Sequence, residues 1–102
     1  MLHVGQIKET LHIDTIASEQ YSWRSKESTP AAQIDLIIDR ADDVVNVCEI
    51  KYSGKEYSLS EEESRKMAYL LETFRREMGT KQSLYLTLIT AAPFGISLYV
   101  AF

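Results

Sequence analysis

Two β-rich runs, Ile34–Arg40 and Val44–Lys51, are separated only by Ala41, Asp42 and Asp43. A gap that short between two strands leaves room for a tight reversal, so the pair reads as a β-hairpin. In a three-residue hairpin loop the third position takes a left-handed conformation, which Gly favours and Asp43 tolerates. Counting back from that loop sets Arg40 against Val44 and Asp35 against Glu49, about 5 Å apart across the strands. A two-residue loop would instead turn Asp35 to the other face.

The rest of the chain supplies partners for this hairpin. Val4, Ile7 and Leu11 recur at helical spacing, which predicts a short amphipathic helix beginning almost at the first residue. Thr15 to Trp23 reads as a strand, from Ile16, Tyr21, Trp23 and the β-branched Thr15. Arg24 to Ala32, with Ser25, Lys26, Glu27, Ser28, Thr29 and Pro30, is expected to be an exposed loop that buries nothing. Met67, Leu70, Leu71, Phe74 and Met78 form one stripe, with Arg65, Glu72, Arg75 and Arg76 on other faces, and predict a helix between about 60 and 79. Ser60 with Glu63 reads as its capping box, Ser58 with Glu61 is the alternative register, and Gly79 suits a left-handed C-cap.

Leu84 to Thr90 is almost continuously apolar, as a central strand covered on both faces should be. Pro93 and Gly95 break the chain, after which Ile96, Leu98, Val100 and Phe102 alternate with Ser97, Tyr99 and Ala101 in a final strand. The order α-β-β-β-α-β-β predicts one α/β domain over 1–102, a mixed central sheet flanked by two helices. A helix near the first residue and a strand ending on Phe102 suggest a fragment of a longer ancestral chain.

A length of 102 residues is one domain's worth, long enough to bury roughly 65% of its unfolded surface without staples. The single cysteine, Cys48, and the lack of Cys/His clusters exclude a disulfide scaffold and a zinc module. Neither a signal peptide nor an apolar run of about 20 residues is present, so a cytoplasmic protein with no membrane partner is expected. A net charge of -4 offers nucleic acid no general attraction, and any contact must be local.

Three polar residues stand where these strands should bury apolar ones: Asp35, Glu49 and Lys51. Alternation places Glu49 and Lys51 on the face of Val45 and Val47, while Cys48 and Ile50 point the other way. Two carboxylates about 5 Å apart repel unless a cation intervenes, and a pair of oxygen ligands suits Mg²⁺, which keeps several waters. The Ile50 carbonyl could add a further oxygen. Lys51 would then stand beside a metal-bound water, placed to orient a nucleophile or to stabilise charge on a phosphoryl group. The plainer alternative is a surface charge patch on a solvated sheet face.

Other residues weigh less. His3 and His12 offer no metal geometry, and Cys48 should be an inert buried thiol. Tyr21 and Trp23 share a face that suits either core packing or base stacking. Arg65, Lys66, Arg75 and Arg76 give the long helix a basic surface that either meets solvent or meets phosphates.

Asp35, the Glu49-Ile50-Lys51 triplet and the order α-β-β-β-α-β resemble the PD-(D/E)xK phosphodiesterase superfamily. More specifically, Tyr21-Ser22-Trp23, Gln33 to Ile38 and Val47 to Ser53 resemble the C-terminal nuclease-like domain of certain prokaryotic AAA-type ATPases. The resemblance spans nearly the whole chain. It implies a restriction-endonuclease-like fold, Mg²⁺ or Mn²⁺ held by Asp35 and Glu49, Lys51 as catalytic lysine, and hydrolysis of DNA or RNA. Two departures accompany it. Gln33 stands where the family usually has an acid, and the acid of the family's first helix would fall upstream of Met1, with Glu9 on an unsuitable turn to replace it. No phosphate-binding Gly-Lys loop occurs, so an ATPase portion is absent from this chain. Two hypotheses result: a nuclease-like module whose activity is weakened or lost, or a non-catalytic interaction module whose final strand pairs with a partner or forms a homodimer.

Overall fold

The computed structural model describes residues 4–26, 32–52, 60–92 and 95–101. The chain runs α1 (Val4–Thr10), β1 (Ser18–Arg24), β2 (Gln33–Arg40), β3 (Val44–Tyr52), α2 (Glu61–Met78), β4 (Ser83–Ala92) and β5 (Gly95–Ala101). The five strands form one sheet in the order β1-β2-β3-β4-β5. β1, β2 and β3 are an antiparallel meander. The chain then crosses through α2 and enters β4 parallel to β3, from Val44 beside Ser83 to Tyr52 beside Ala91. A parallel neighbour requires such a crossover, because a hairpin returns the chain antiparallel. β5 closes back antiparallel on β4. This is the expected restriction-endonuclease-like αβββαβ core, a mixed sheet with one extra C-terminal strand.

The hairpin takes the register derived from its loop length: Leu36 faces Cys48 and Asp39 faces Val45. Asp43 closes the loop at φ 69°, the left-handed residue such a loop needs. Its carbonyl also accepts the Ser83 N–H at 3.2 Å, tying the turn to the start of β4.

Side-chain alternation splits the apolar residues between the two faces of the sheet. On one, Ile7 and Ile13 pack with Leu36, Ile38, Cys48 and Ile89. On the other, Phe74 of α2 packs with Ile34, Ile37, Val45, Val47 and Leu84, with Trp23 and Tyr21 at the margin. Trp23 and Phe74 meet edge to face, centroids 5.2 Å apart at 82°, so that face of β1 serves packing on α2. Met67, Leu70 and Ala32 extend the same layer.

Helix α2 begins and ends where its sequence signals lie. Ser60 is the N-cap, its Oγ accepting the Glu63 N–H at 3.1 Å. Gly79 at φ 62° is the C-cap, its N–H reaching the Arg75 carbonyl at 3.0 Å. Glu61, Glu62 and Glu63 in the first turn and Arg75 and Arg76 in the last complement the helix dipole. Helix α1 ends in the same manner with a less suitable residue. His12 sits at φ 60°, its N–H bonded to the Glu9 carbonyl and that of Ile13 to the Lys8 carbonyl, a Schellman closure without glycine.

Away from Asp35, the structure departs from the sequence reading in three places. β1 starts at Ser18, not Thr15. The preceding residues are a turn in which the Ile16 N–H bonds the Ile13 carbonyl, and Ile16 packs beneath α1, so its bulk serves the core and not a ladder. Ser25, expected in an exposed loop, is buried. Its N–H donates to the Ala32 carbonyl at 2.8 Å and its Oγ accepts the Ala32 N–H at 2.7 Å, which ties Ser25 to Ala32. Met78, at the end of the helical stripe, is 48% exposed, while Thr73 is buried among the stripe residues. His3, Ser58, Pro93 and Phe102, and the side chains of the last strand, lie outside the residues described.

A fork between two strands as candidate site

Strands β2 and β3 pair only over part of their length. Their described ladder ends at Leu36 and Cys48, yet β2 extends back to Gln33 on the β1 side and β3 runs on to Tyr52 on the β4 side. The sheet therefore forks, and the sequence-derived candidates sit on its prongs: Asp35 on one, Glu49, Ile50 and Lys51 on the other.

A bulge in β2 contributes to the fork. Tyr21 pairs with Ile37 but Trp23 with Ile34, so Asp35 and Leu36 together face the single residue Ser22. The extra residue bends its strand and interrupts alternation. Ile34 and Ile37 both pack on the α2 side as a result, with Leu36 on the α1 side. The strict alternation that carries the hairpin register back from the loop therefore does not extend to Asp35: it shares the face of Gln33, its bonded partner, opposite Ile34 and Trp23, and so lies on the α1 side, whereas Glu49 and Lys51 lie on the α2 side, and the expected opposition of Asp35 and Glu49 is not formed.

On the β3 prong the structure brings Glu49 and Lys51 together, Nζ to Oε1 at 3.5 Å, with side chains 21% and 33% exposed. Both continue the Val45 and Val47 face, whereas Ile50 packs toward the α1-side core. On the β2 prong Asp35 is exposed, and its Oδ1 accepts from Gln33 Nε2 at 3.2 Å. Gln33 Oε1 in turn accepts from Arg24 Nη2 at 3.0 Å. Arg24 is a participant that the sequence reading left out, because only the β1–β2 register reveals it beside Gln33.

Asp35 and Glu49 are both carboxylates with solvent access, on opposite faces of the sheet at the fork, and the Ile50 carbonyl follows Glu49 in sequence. Hard oxygen donors of this kind suit a cation that retains much of its water, as Mg²⁺ does, provided both carboxylates turn to the same ion. Among the described residues there is no cluster of three or more His, Cys, Asp or Glu side chains able to hold a metal. Glu9 is exposed on α1.

The remaining candidates have structural duties. Cys48 is buried and burial pushes its thiol up to about 12, which removes the thiolate that a nucleophile needs. Arg75 donates to the Thr80 and Gln82 carbonyls at 3.3 and 3.2 Å, anchoring the loop after α2, and Arg65 lies 3.9 Å from Glu61. At the opposite end of the sheet a shallow cleft of about 280 Å³ is lined by Tyr21, Asp39, Phe74, Met78 and Gln82. Gln82 Nε2 donates to Asp39 Oδ1 at 2.9 Å there. Burial, with Asp39 and Glu19 nearby, raises the Tyr21 hydroxyl above its usual range. No described helix is long and apolar enough to cross a membrane.

No protein-family model matches the chain, and no curated protein is similar to it in sequence.

Proposed function

We propose that the fork is a divalent-cation site for phosphodiester hydrolysis of nucleic acid, of the PD-(D/E)xK kind. The observation that carries this reading is the parting of β2 and β3 at the point where Asp35 and the Glu49–Lys51 pair occur. Charged side chains are left open to solvent between two prongs where a continuous ladder would have packed them side by side. The nuclease-like scaffold supports the reading, as does the hard-oxygen donor set.

Glu49 and the Ile50 carbonyl would hold Mg²⁺ or Mn²⁺, and Asp35 would join them by leaving Gln33 and reaching across the fork. When bound, that ion supplies Lewis-acid polarisation of a phosphoryl oxygen and an acidified water. Lys51 is a donor only, so beside Glu49 it directs hydrogen bonds toward the attacking water or toward the oxygens on which charge develops. Glu49 keeps the lysine side chain from wandering. A site with two carboxylates binds its ion weakly, and slow turnover follows.

The test is cleavage of labelled single-stranded and duplex DNA and RNA in Mn²⁺ or Mg²⁺. Metal-dependent cutting that drops by at least about a hundredfold in Lys51→Ala is expected, in the range for loss of one electrostatic stabiliser. Calorimetric titration of Mn²⁺ into wild type and Asp35→Ala decides whether the fork is the site.

A second reading has its own observation. Among the described residues β5 is at the sheet edge, paired with β4 alone. An edge of this kind is a template for another strand, so the domain would instead be an interaction module that forms a homodimer through β5. Sedimentation showing a dimer, with no metal binding, would favour it.

A further inference from the structure

Glu19 and Asp39 stand directly opposite each other in the β1–β2 ladder, and Asp39 in turn faces Val45 across β2 and β3. Alternation puts both acids on the α2 face, in step with Tyr21 and Ile37. Carboxylates in facing positions repel each other. Among the described residues no lysine or arginine makes an ion pair with either acid. Asp39 Oδ1 accepts only a neutral donor, Gln82 Nε2, and Arg40, next to it in sequence, is spent on Asp42 and Asn46.

Asp39 is shared by two adjoining clefts, one lined by Glu19 and the other, of about 280 Å³, lying between the sheet and the C-terminal end of α2. The second cleft has apolar walls. Val45 and Phe74 are buried in its floor, and Met78 on its rim is the one large hydrophobic side chain left exposed among the described residues. Tyr21 adds a phenol, whose proton is held more firmly because of burial and because Asp39 and Glu19 act on it. A hydrated metal ion meets oxygen alone and has no use for such walls. An anionic ligand would face two carboxylates. A primary ammonium on an aliphatic stem matches both parts, with three N–H donors for the carboxylates and the phenol oxygen, and methylenes for the apolar wall.

We propose that the cleft between Asp39, Tyr21 and Met78 binds a primary alkylammonium group, with Glu19 sharing its charge and Met78 and Phe74 taking its stem. The site lies away from the fork and does not depend on it. Its volume is at the small end for ligand pockets, which suits a short stem. Lys81, exposed on the same cleft, carries the charge of the ligand and lowers the affinity.

The test titrates the full isotope-labelled chain with butylammonium at low ionic strength and follows backbone amide shifts. Shifts centred on Glu19, Asp39 and Gln82 should saturate in the millimolar range, as so few ligand atoms allow. Asp39→Asn, which still offers Gln82 an oxygen, should weaken binding by at least about tenfold, the loss of a charged acceptor. Tyr21→Phe and the exposed Glu19→Gln should each weaken it about threefold. Lys81→Gln should tighten it about twofold. Both acid variants should melt above wild type, because each ends the repulsion, so their weaker binding is not a failure to fold.

Nα-acetyl-lysine methylamide separates two sources of the group. Binding as tight as that of butylammonium assigns the cleft to a lysine side chain of a partner chain, and failure to bind while butylammonium does assigns it to a free amine. Four results overturn the proposal: no saturation with butylammonium, the same shifts with neutral butanol, displacement of butylammonium by Mg²⁺ with the same shifts, or acid variants no more stable than wild type, which would show the pair already neutralised within the fold.

Discussion

The β2–β3 hairpin has a closed end and an open end, and the two handle charge in opposite ways. At the closed end Arg40 grips Asp42 through Nε at 2.9 Å and Nη2 at 2.5 Å, and gives Nη1 to Asn46 Oδ1 at 3.1 Å. Asn46 is 1% exposed and passes its own donor to Thr87 Oγ1 at 3.0 Å, which donates to the Tyr85 carbonyl at 3.2 Å. Asn46 and Thr87 are buried and committed to one another, as buried polar groups must be, and the exposed Asp42 holds Arg40 to them from the surface. At the open end Glu49 and Lys51 stand 3.5 Å apart, partly solvated, and Asp35 is exposed. Groups committed to each other build the fold, and groups with spare capacity at the surface are available to a ligand.

The largest effect expected from this contrast is on stability. Asn46→Ala leaves Arg40 and Thr87 short of a partner in a buried setting and should destabilise by about 2–3 kcal/mol in urea titrations. Lys51→Ala, at a partly exposed ion pair, should cost less than about 1 kcal/mol. Equal losses in the two variants would break the contrast.

A smaller effect, of opposite sign, belongs to the turn. Asp43→Gly relieves a side chain held at φ 69° and should raise stability by about 0.5–1 kcal/mol in the same titration. His12→Gly, at φ 60°, tests the same argument at the end of α1.

The smallest effect is a pH dependence. The hydrogen bond from Arg40, and its charge, hold the Asp42 carboxyl below its ordinary value of 3.8. A lowered folded-state value means a contribution present above that ordinary value and lost as acid protonates the folded carboxylate. Stability of wild type relative to Asp42→Asn should thus be constant near neutrality and shrink on acidification below about pH 4, the range set by that depressed value. A difference that grows in acid would reverse the assigned direction.

Much of the fold is legible in the sequence because each of its signals is local. Loop length fixed the hairpin register, Ser60 and Gly79 bracketed α2, and the apolar run from Leu84 to Thr90 marked an interior strand. What escaped is what depends on two strands at once. Ser25 reads as a loop residue and becomes buried only because Ala32 closes over it. The bulge at Asp35 exists only relative to β1, and Arg24 becomes a neighbour of Gln33 only through that same pairing. The identities of Asp35, Glu49 and Lys51 could be read from the chain; the fork that separates them could not.

The parallel seam between β3 and β4 has a kinetic corollary. The β1–β2–β3 meander can zip from neighbouring residues, but Val44 finds Ser83 only after the crossover through α2 has been brought back. Closure of that long excursion is entropically dear, and it is the step expected to limit how fast the chain reaches its native state. Substitutions along the seam would then slow refolding more than those in the meander, while the meander substitutions would show mainly in the unfolding limb of a chevron plot.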